Sequence, residues 1–121
     1  MSIEADLFSH LSSDAGVSAL VDARIYPLLM PQDCMTPAIV YTIVNNRERQ
    51  SINNREPWGE DVLVQVDCWS NDFDEALSVK DAVQIAMHGF AHKAHGFISR
   101  SSYESETELH RQLIEFNIKG Y

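Results

Sequence analysis

Residues 61–70, DVLVQVDCWS, carry the clearest strand signal in the chain. Apolar side chains recur at every second position, which is the period of a strand with one buried face. The side chains expected to face the core are Val62, Val64, Val66 and Cys68. The pattern therefore predicts a strand that packs on the core through this face.

A long helix is predicted directly after this strand, over about residues 72–89. Its apolar residues recur three and four positions apart, which places them on one side of a helix. This stripe consists of Ala76, Val79, Val83, Ala86 and Phe90. Asp72 and Glu75 form a capping-box pattern at the start, and Gly89 is a suitable C-cap. The sequence thus predicts one long amphipathic helix.

Weaker signals before and after these two elements complete the expected fold. Leu7 and Leu11 share a helical face with Ile3, and a second short helical turn follows. Further strands are expected at 25–29, 38–44, 97–103 and 109–118. Strands joined by short turns pair antiparallel, and helices then cover one face of the sheet. We expect a single α+β domain over 1–121. It has an antiparallel sheet of about four to five strands, with the long helix and an N-terminal helix packed on one face.

A polar segment at about 45–60 interrupts this pattern. It is longer than most connections, which typically have about 4–6 residues, and it contains three of the nine basic residues of the chain. We expect a loop or an extended hairpin arm. Arginine and tryptophan are enriched among interface hot spots, so the segment predicts a partner or oligomer interface. The residues concerned are Arg47, Arg49, Arg55 and Trp58. The alternative is a solvated loop whose tryptophan packs back on the domain.

Composition excludes several classes of function. The net charge is −9, from 18 acidic and 9 basic residues, which argues against specific nucleic-acid binding because that requires clustered Lys and Arg. The longest apolar run is far shorter than the ~20 residues of a membrane span, and the N-terminus lacks the pattern of a secretory signal. Cys34 and Cys68 form no C-x-x-C pair. They are expected to be reduced thiols of a protein made in the cytoplasm.

Candidate catalytic and metal-binding residues are few. His88, His92 and His95 are the best metal suggestion, but Gly89 interrupts the helical spacing that would direct the first two at one ion. Asp72, Asp74 and Glu75 could act as paired carboxylates, although negative charge is favoured at a helix start in any case. Asp67 is expected to be exposed or paired across strands. The sequence contains no nucleophile-elbow or phosphate-loop motif.

Four segments, taken in order, carry a family resemblance. They are Arg24-Ile25-Tyr26-Pro27, Pro37-Ala38-Ile39-Val40-Tyr41, Val64-Gln65-Val66-Asp67-Cys68-Trp69 and the helix with Ala76, Val83 and Gly89. In this order and spacing the set resembles the tail-completion (tail-to-head joining, tail terminator-like) proteins of long-tailed bacteriophages. The likeness covers most of the chain and leaves out the segment 45–60.

The resemblance implies a structural protein without catalytic activity, metal or cofactor. Such a protein caps the head-proximal end of the tail tube, stops its growth and joins the tail to the head connector. The implied partners are the tail tube protein, the head-connector (stopper) protein and further copies in a ring, usually hexameric. It would be made in the bacterial host cytoplasm and reside in the virion tail. The motif residues that look like fold determinants are Tyr26, Pro27, Tyr41, Asp67 and Trp69.

Two other classes of function fit parts of the sequence. One is a non-viral cytosolic adaptor domain that binds a partner through the segment 45–60. The other is a small metal-dependent enzyme that uses His88, His92 and His95.

Overall fold

The computed structural model describes residues 3–50, 57–90 and 93–120. Its strands form one five-stranded sheet in the order β1-β2-β3-β5-β4. The elements in chain order are α1 (Ile3–Ser13), α2 (Ala15–Val21), β1 (Ile25–Pro27), β2 (Ala38–Gln50), β3 (Pro57–Ser70), α3 (Phe73–His88), β4 (Lys93–Glu104) and β5 (Leu109–Gly120). The α+β class predicted from the sequence is confirmed. None of the described helices is long and apolar enough to cross a membrane.

The four long strands pair antiparallel, as expected, but the short strand β1 pairs parallel to β2. The sheet is therefore mixed and not wholly antiparallel. The connection 28–37 carries the chain back beside the start of β1, so β2 runs in the same direction as β1. A tight turn would instead have made the two strands antiparallel. Two backbone bonds fix the pairing: Ile39 N–H donates to Arg24 O at 2.9 Å, and Leu28 N–H donates to Tyr41 O at 3.0 Å.

The core lies between the helices and one face of the sheet. The face of β3 predicted from alternation is buried, and so is most of the α3 stripe, with Phe90 half-buried at its end. Phe116 on β5 is fully buried, and its ring centroid lies 5.2 Å from that of Phe97. Burial also raises the pKa of the Cys68 thiol, because a thiolate there would lose its hydration. Cys68 is therefore a packing residue.

The start of α3 is built differently from the predicted capping box. Asp72 occupies the N-cap position, but its side chain makes no capping hydrogen bond. The buried Ser70 hydroxyl instead accepts from Asp72 N–H at 3.1 Å and donates to Glu75 Oε1 at 2.6 Å. The predicted N-cap position is confirmed, but the predicted capping-box bonds are not formed, because Ser70, the last residue of β3, lies within reach of both groups. One serine thus connects the end of the strand to the first turn of the helix.

Candidate assembly surfaces

The described parts of the polar segment, residues 45–50 and 57–60, lie at one end of the β2–β3 pair. β2 runs to Gln50 and β3 begins at Pro57, and these two residues are paired. β5 ends at Gly120 opposite Glu60, so the hairpin continues beyond the neighbouring strand. A bulge interrupts the register between Ile43 and Asn45, and the backbones of β2 and β3 pair again beyond it as far as Gln50 and Pro57. The hairpin end therefore projects from the body of the domain.

The interface residues predicted from the sequence lie at this end. Arg47 and Arg49 are on β2, where their backbone partners are Asp61 and Gly59, and Trp58 is on β3. Their side chains lie outside the part of the molecule that the structure describes, and Arg55 lies wholly outside it. The structure brings three of the four backbone positions into one hairpin. An interface role for this cluster stays a prediction.

The sheet face without helices carries a polar network centred on Asp67. Arg111 Nε and Nη2 each lie 2.9 Å from Asp67 Oδ1, and Gln65 Nε2 lies 3.2 Å from Oδ2 and 3.3 Å from Oδ1. The Arg111 guanidinium carbon lies 5.5 Å from the ring centroid of Trp69. Cross-strand pairing of Asp67 was one of the two sequence expectations. Arg111 was not recognised, since only the β3–β5 register identifies it.

The remaining motif residues lie around the β1–β2 pair. Tyr26 is half-buried, and its hydroxyl oxygen lies 3.4 Å from Cys34 Sγ; the hydrogen bond between the two side chains raises the pKa of Tyr26. Pro27 is the last residue of β1. Tyr41 is buried with its ring centroid 6.2 Å from that of Phe8, and burial raises its pKa. The contact between Tyr41 and Phe8 joins this edge of the sheet to α1.

The two candidate metal ligands that the structure describes, His88 and His95, are not brought together. His88 ends α3 and its ring lies beside Phe97, on the helix side of the sheet. His95, on β4, is paired with Asn117 of β5. Alternation along β5 places both side chains on the opposite face of the sheet from the buried Ile118. His92 lies outside the described residues. Among the described residues, no group of three His, Cys, Asp or Glu side chains could hold a metal ion. Asp72 and Asp74 are exposed at the helix start, and Glu75 is bonded to Ser70.

An exposed apolar region that sequence reasoning did not single out lies along the β1–β2 edge. Leu28, Leu29 and Val44 are all exposed. A groove of about 250 Å³ beside them is lined by Glu4, Pro27, Leu28, Tyr41 and Ile43. Exposed apolar clusters on soluble proteins mark interaction surfaces more often than isolated apolar residues do. The β1–β2 edge is therefore a second candidate assembly surface.

Comparison with known families identifies the family of the chain. The family model described as "Tail completion protein gp17" matches residues 5–119. The chain belongs to this family. The family predicted from the four ordered motifs is thereby confirmed, and the protein is a structural component of a phage-type virion tail.

This tail completion protein was also compared with curated proteins and with solved structures. A search of curated proteins gave no match. Among solved structures, the fold is similar to a chain from "Virion of native gene transfer agent (GTA) particle". The two chains share 15% sequence identity with a TM-score of 0.74, over 98% of this chain and 94% of that chain. At this identity the likeness shows the fold alone.

Proposed function

We propose that this tail completion protein caps the head-proximal end of the tail tube, stops its growth and joins it to the head connector. The observation that carries the proposal is the match of the tail-completion family model to residues 5–119. The protein acts by binding and has no catalytic activity. Its partners are the tail tube protein, the head-connector protein and further copies of itself in a ring, hexameric on the tail.

The two ends of the domain differ in chemistry, which suits a protein that joins two different partners. The hairpin end is of mixed charge, since its sequence carries Arg47, Arg49 and Trp58 together with Glu48 and Glu60. The opposite end, about 45 Å away along β3, comprises the β4–β5 turn, the start of α3 and the loop after β1. Its exposed acidic residues are Asp33, Asp72, Asp74, Glu104, Glu106 and Glu108. One end contacts the tail tube and the other the connector.

The charge of the chain also suits a conduit for DNA. With 18 acidic and 9 basic residues, the protein repels the phosphate backbone more than it attracts it. DNA that leaves the head therefore passes the ring without being held. Specific nucleic-acid binding forms no part of the proposed function.

Binding to isolated tails tests the capping step directly. Purified protein is added to tails assembled without it, and the mixture is examined by negative-stain electron microscopy. We expect additional density at one end of each tail, and no further elongation when tube protein is supplied. Density along the tube wall, or tails that continue to grow, would contradict the proposal.

The hairpin end can be tested with a charge-matched pair of variants. Replacing Arg47 and Arg49 with alanine removes two positive charges from the hairpin. We expect the titre of complemented phage to fall at least ~10-fold, because each 1.4 kcal/mol lost at an interface weakens binding tenfold. The control, Ala15→Glu with Ala19→Glu, makes the same change in net charge at exposed positions of α2. Equal titres for both double variants would show that the hairpin makes no such contact.

A further inference from the structure

The outer edge of β2 is covered along only part of its length. β1 pairs with Ile39, Val40 and Tyr41 and then ends at Pro27. Leu28 has a φ of 66°, a conformation that is uncommon for a leucine and turns the chain away from the sheet. Among the residues that the structure describes, no strand pairs with this edge from Thr42 to Gln50. Nine residues of β2 therefore present an open edge.

The other end of the sheet presents a second open edge. β4 is the last strand in the order, and no described strand lies beyond it. From Ile98 to Glu104 it pairs with β5 without any break in register. This regular stretch is long enough to pair with most of the open edge of β2. Long open edges are usually blocked or covered in soluble proteins.

The directions of the two edge strands permit them to pair between copies. β2, β3, β5 and β4 are each antiparallel to the next, so β4 runs opposite to β2 within one sheet. A second copy, related by rotation about an axis inclined to the strands as in a closed barrel, keeps these directions and is displaced along the strands. Its β4 then meets β2 of the first copy in an antiparallel arrangement, the geometry in which backbone hydrogen bonds form most directly.

The backbone groups that such a pairing would use can be assigned from the observed bonds. Ile39 N–H and Tyr41 O point towards β1, and the direction of these groups alternates along each strand. The bulge between Ile43 and Asn45 inserts one residue into β2, so the outward-facing positions change from odd to even numbers beyond it. The N–H group of Glu48 therefore faces outwards. The same argument places the N–H groups of Ser99, Ser101 and Tyr103 on the outer side of β4.

Apolar side chains accompany both open edges. At the first edge, Val44 is 49% exposed and Leu28 is 69% exposed. On β4, Ile98 is 56% exposed and Tyr103 is 54% exposed. Ile98 and Tyr103 are five positions apart and therefore lie on opposite faces of β4. Antiparallel pairing places the Tyr103 end of β4 towards Val44 and the Ile98 end towards the hairpin, so removal of apolar surface from water favours association at the Tyr103 end.

We propose that β4 of one copy adds, antiparallel, to the outer edge of β2 at residues 42–50 of a second copy. The inference rests on the proposed ring and identifies its subunit interface. Since the two edges differ, the contact is heterologous and closes into a ring when the rotation allows it. β1 already occupies residues 39–41, so each copy is displaced along the strands towards the hairpin of its neighbour. A closed sheet requires a stagger of this kind.

Proline substitutions at outward-facing amides test the interface. Ser99→Pro removes an outward N–H from the exposed side of β4, and Glu48→Pro does the same on β2. Proline is tolerated on an edge strand when its nitrogen faces solvent, so both variants are expected to keep the circular dichroism spectrum of the wild type. Ser99→Ala is the control that keeps the N–H group. We expect the two proline variants to lose ring density on tails by at least tenfold and Ser99→Ala to retain it.

A mixture of the two proline variants gives a sharper result. Each variant keeps the edge that the other lacks, so an equimolar mixture is expected to yield heterodimers in sedimentation velocity while each variant alone stays monomeric. Hydrogen exchange on wild-type rings checks the same contact without a substitution. There we expect slowed exchange at 42–50 and at 98–104 relative to the free protein.

The outcomes separate this inference from the proposed function. If wild-type protein caps tails and both proline variants do so equally well while folded, the edge pairing is overturned and the capping function stands. If wild-type protein does not cap tails, but the two edges become protected in concentrated solution, the capping function fails and the pairing stands. Unchanged exchange at both edges in every associated state would overturn the pairing even if a proline variant failed to fold.

Discussion

Phe116→Ala is expected to lower the free energy of unfolding by about 3–5 kcal/mol. Phe116 is fully buried, its backbone pairs with that of Val64, and its ring lies against Phe97. Truncation leaves a cavity between the sheet and α3, and the surrounding backbone is held by β3 and β4 on either side of β5. Since small domains are stable by only about 5–15 kcal/mol, this change removes a large share of the total. Urea denaturation followed by circular dichroism measures it.

Phe116→Leu is the matched control for this prediction. It keeps most of the apolar volume, so we expect a loss nearer 1–2 kcal/mol. A loss below about 1 kcal/mol for the alanine variant would show that residue 116 does not lie at the centre of the core.

Asp67→Ala is expected to lower the free energy of unfolding by about 1–3 kcal/mol, because it leaves the groups paired with a buried carboxylate unsatisfied. The Asp67 side chain is 8% exposed and receives bonds from Arg111 and Gln65. The side chain of Arg111 is 30% exposed, so water compensates for part of the lost attraction. The expected loss in the free energy of unfolding is therefore smaller than for a fully buried ion pair.

Asp81→Ala provides the comparison for an exposed ion pair. Asp81 lies 3.4 Å from Lys80, and its side chain is 66% exposed. Such pairs contribute between 0 and about 1 kcal/mol, so we expect little change in the urea midpoint. Equal losses for the two aspartate variants would contradict a structural role for the network around Asp67.

Local periodicity explains why much of the fold could be predicted. The alternation of Val62, Val64 and Val66 requires only neighbours along one strand, and the α3 stripe requires only the helical repeat. Both features were found buried as expected, except that Phe90 at the end of the stripe is half-buried. The parallel pairing of β1 could not be predicted in this way, because it depends on where the loop 28–37 returns the chain. The cap formed by Ser70 likewise depends on how a strand end meets a helix start.

The candidate site was less accessible to sequence reasoning. Asp67 was noted, but its partner Arg111 lies 44 positions further along the chain, and only the register of β3 with β5 brings the two together. The open edges of β2 and β4 follow from the order of the strands in the sheet, and a local sequence pattern does not indicate that order. The order of the four motifs identified the family because it reflects the whole fold. It carried no information about which surface meets which partner.

Electron microscopy of a lysate from the encoding phage or prophage, with this gene deleted, tests the central claim most directly. The account predicts DNA-filled heads beside unjoined tails, many of abnormal length, and restoration of joined, infectious particles when the wild-type gene is supplied in trans. Joined particles of normal tail length and normal infectivity in the deletion lysate would contradict it.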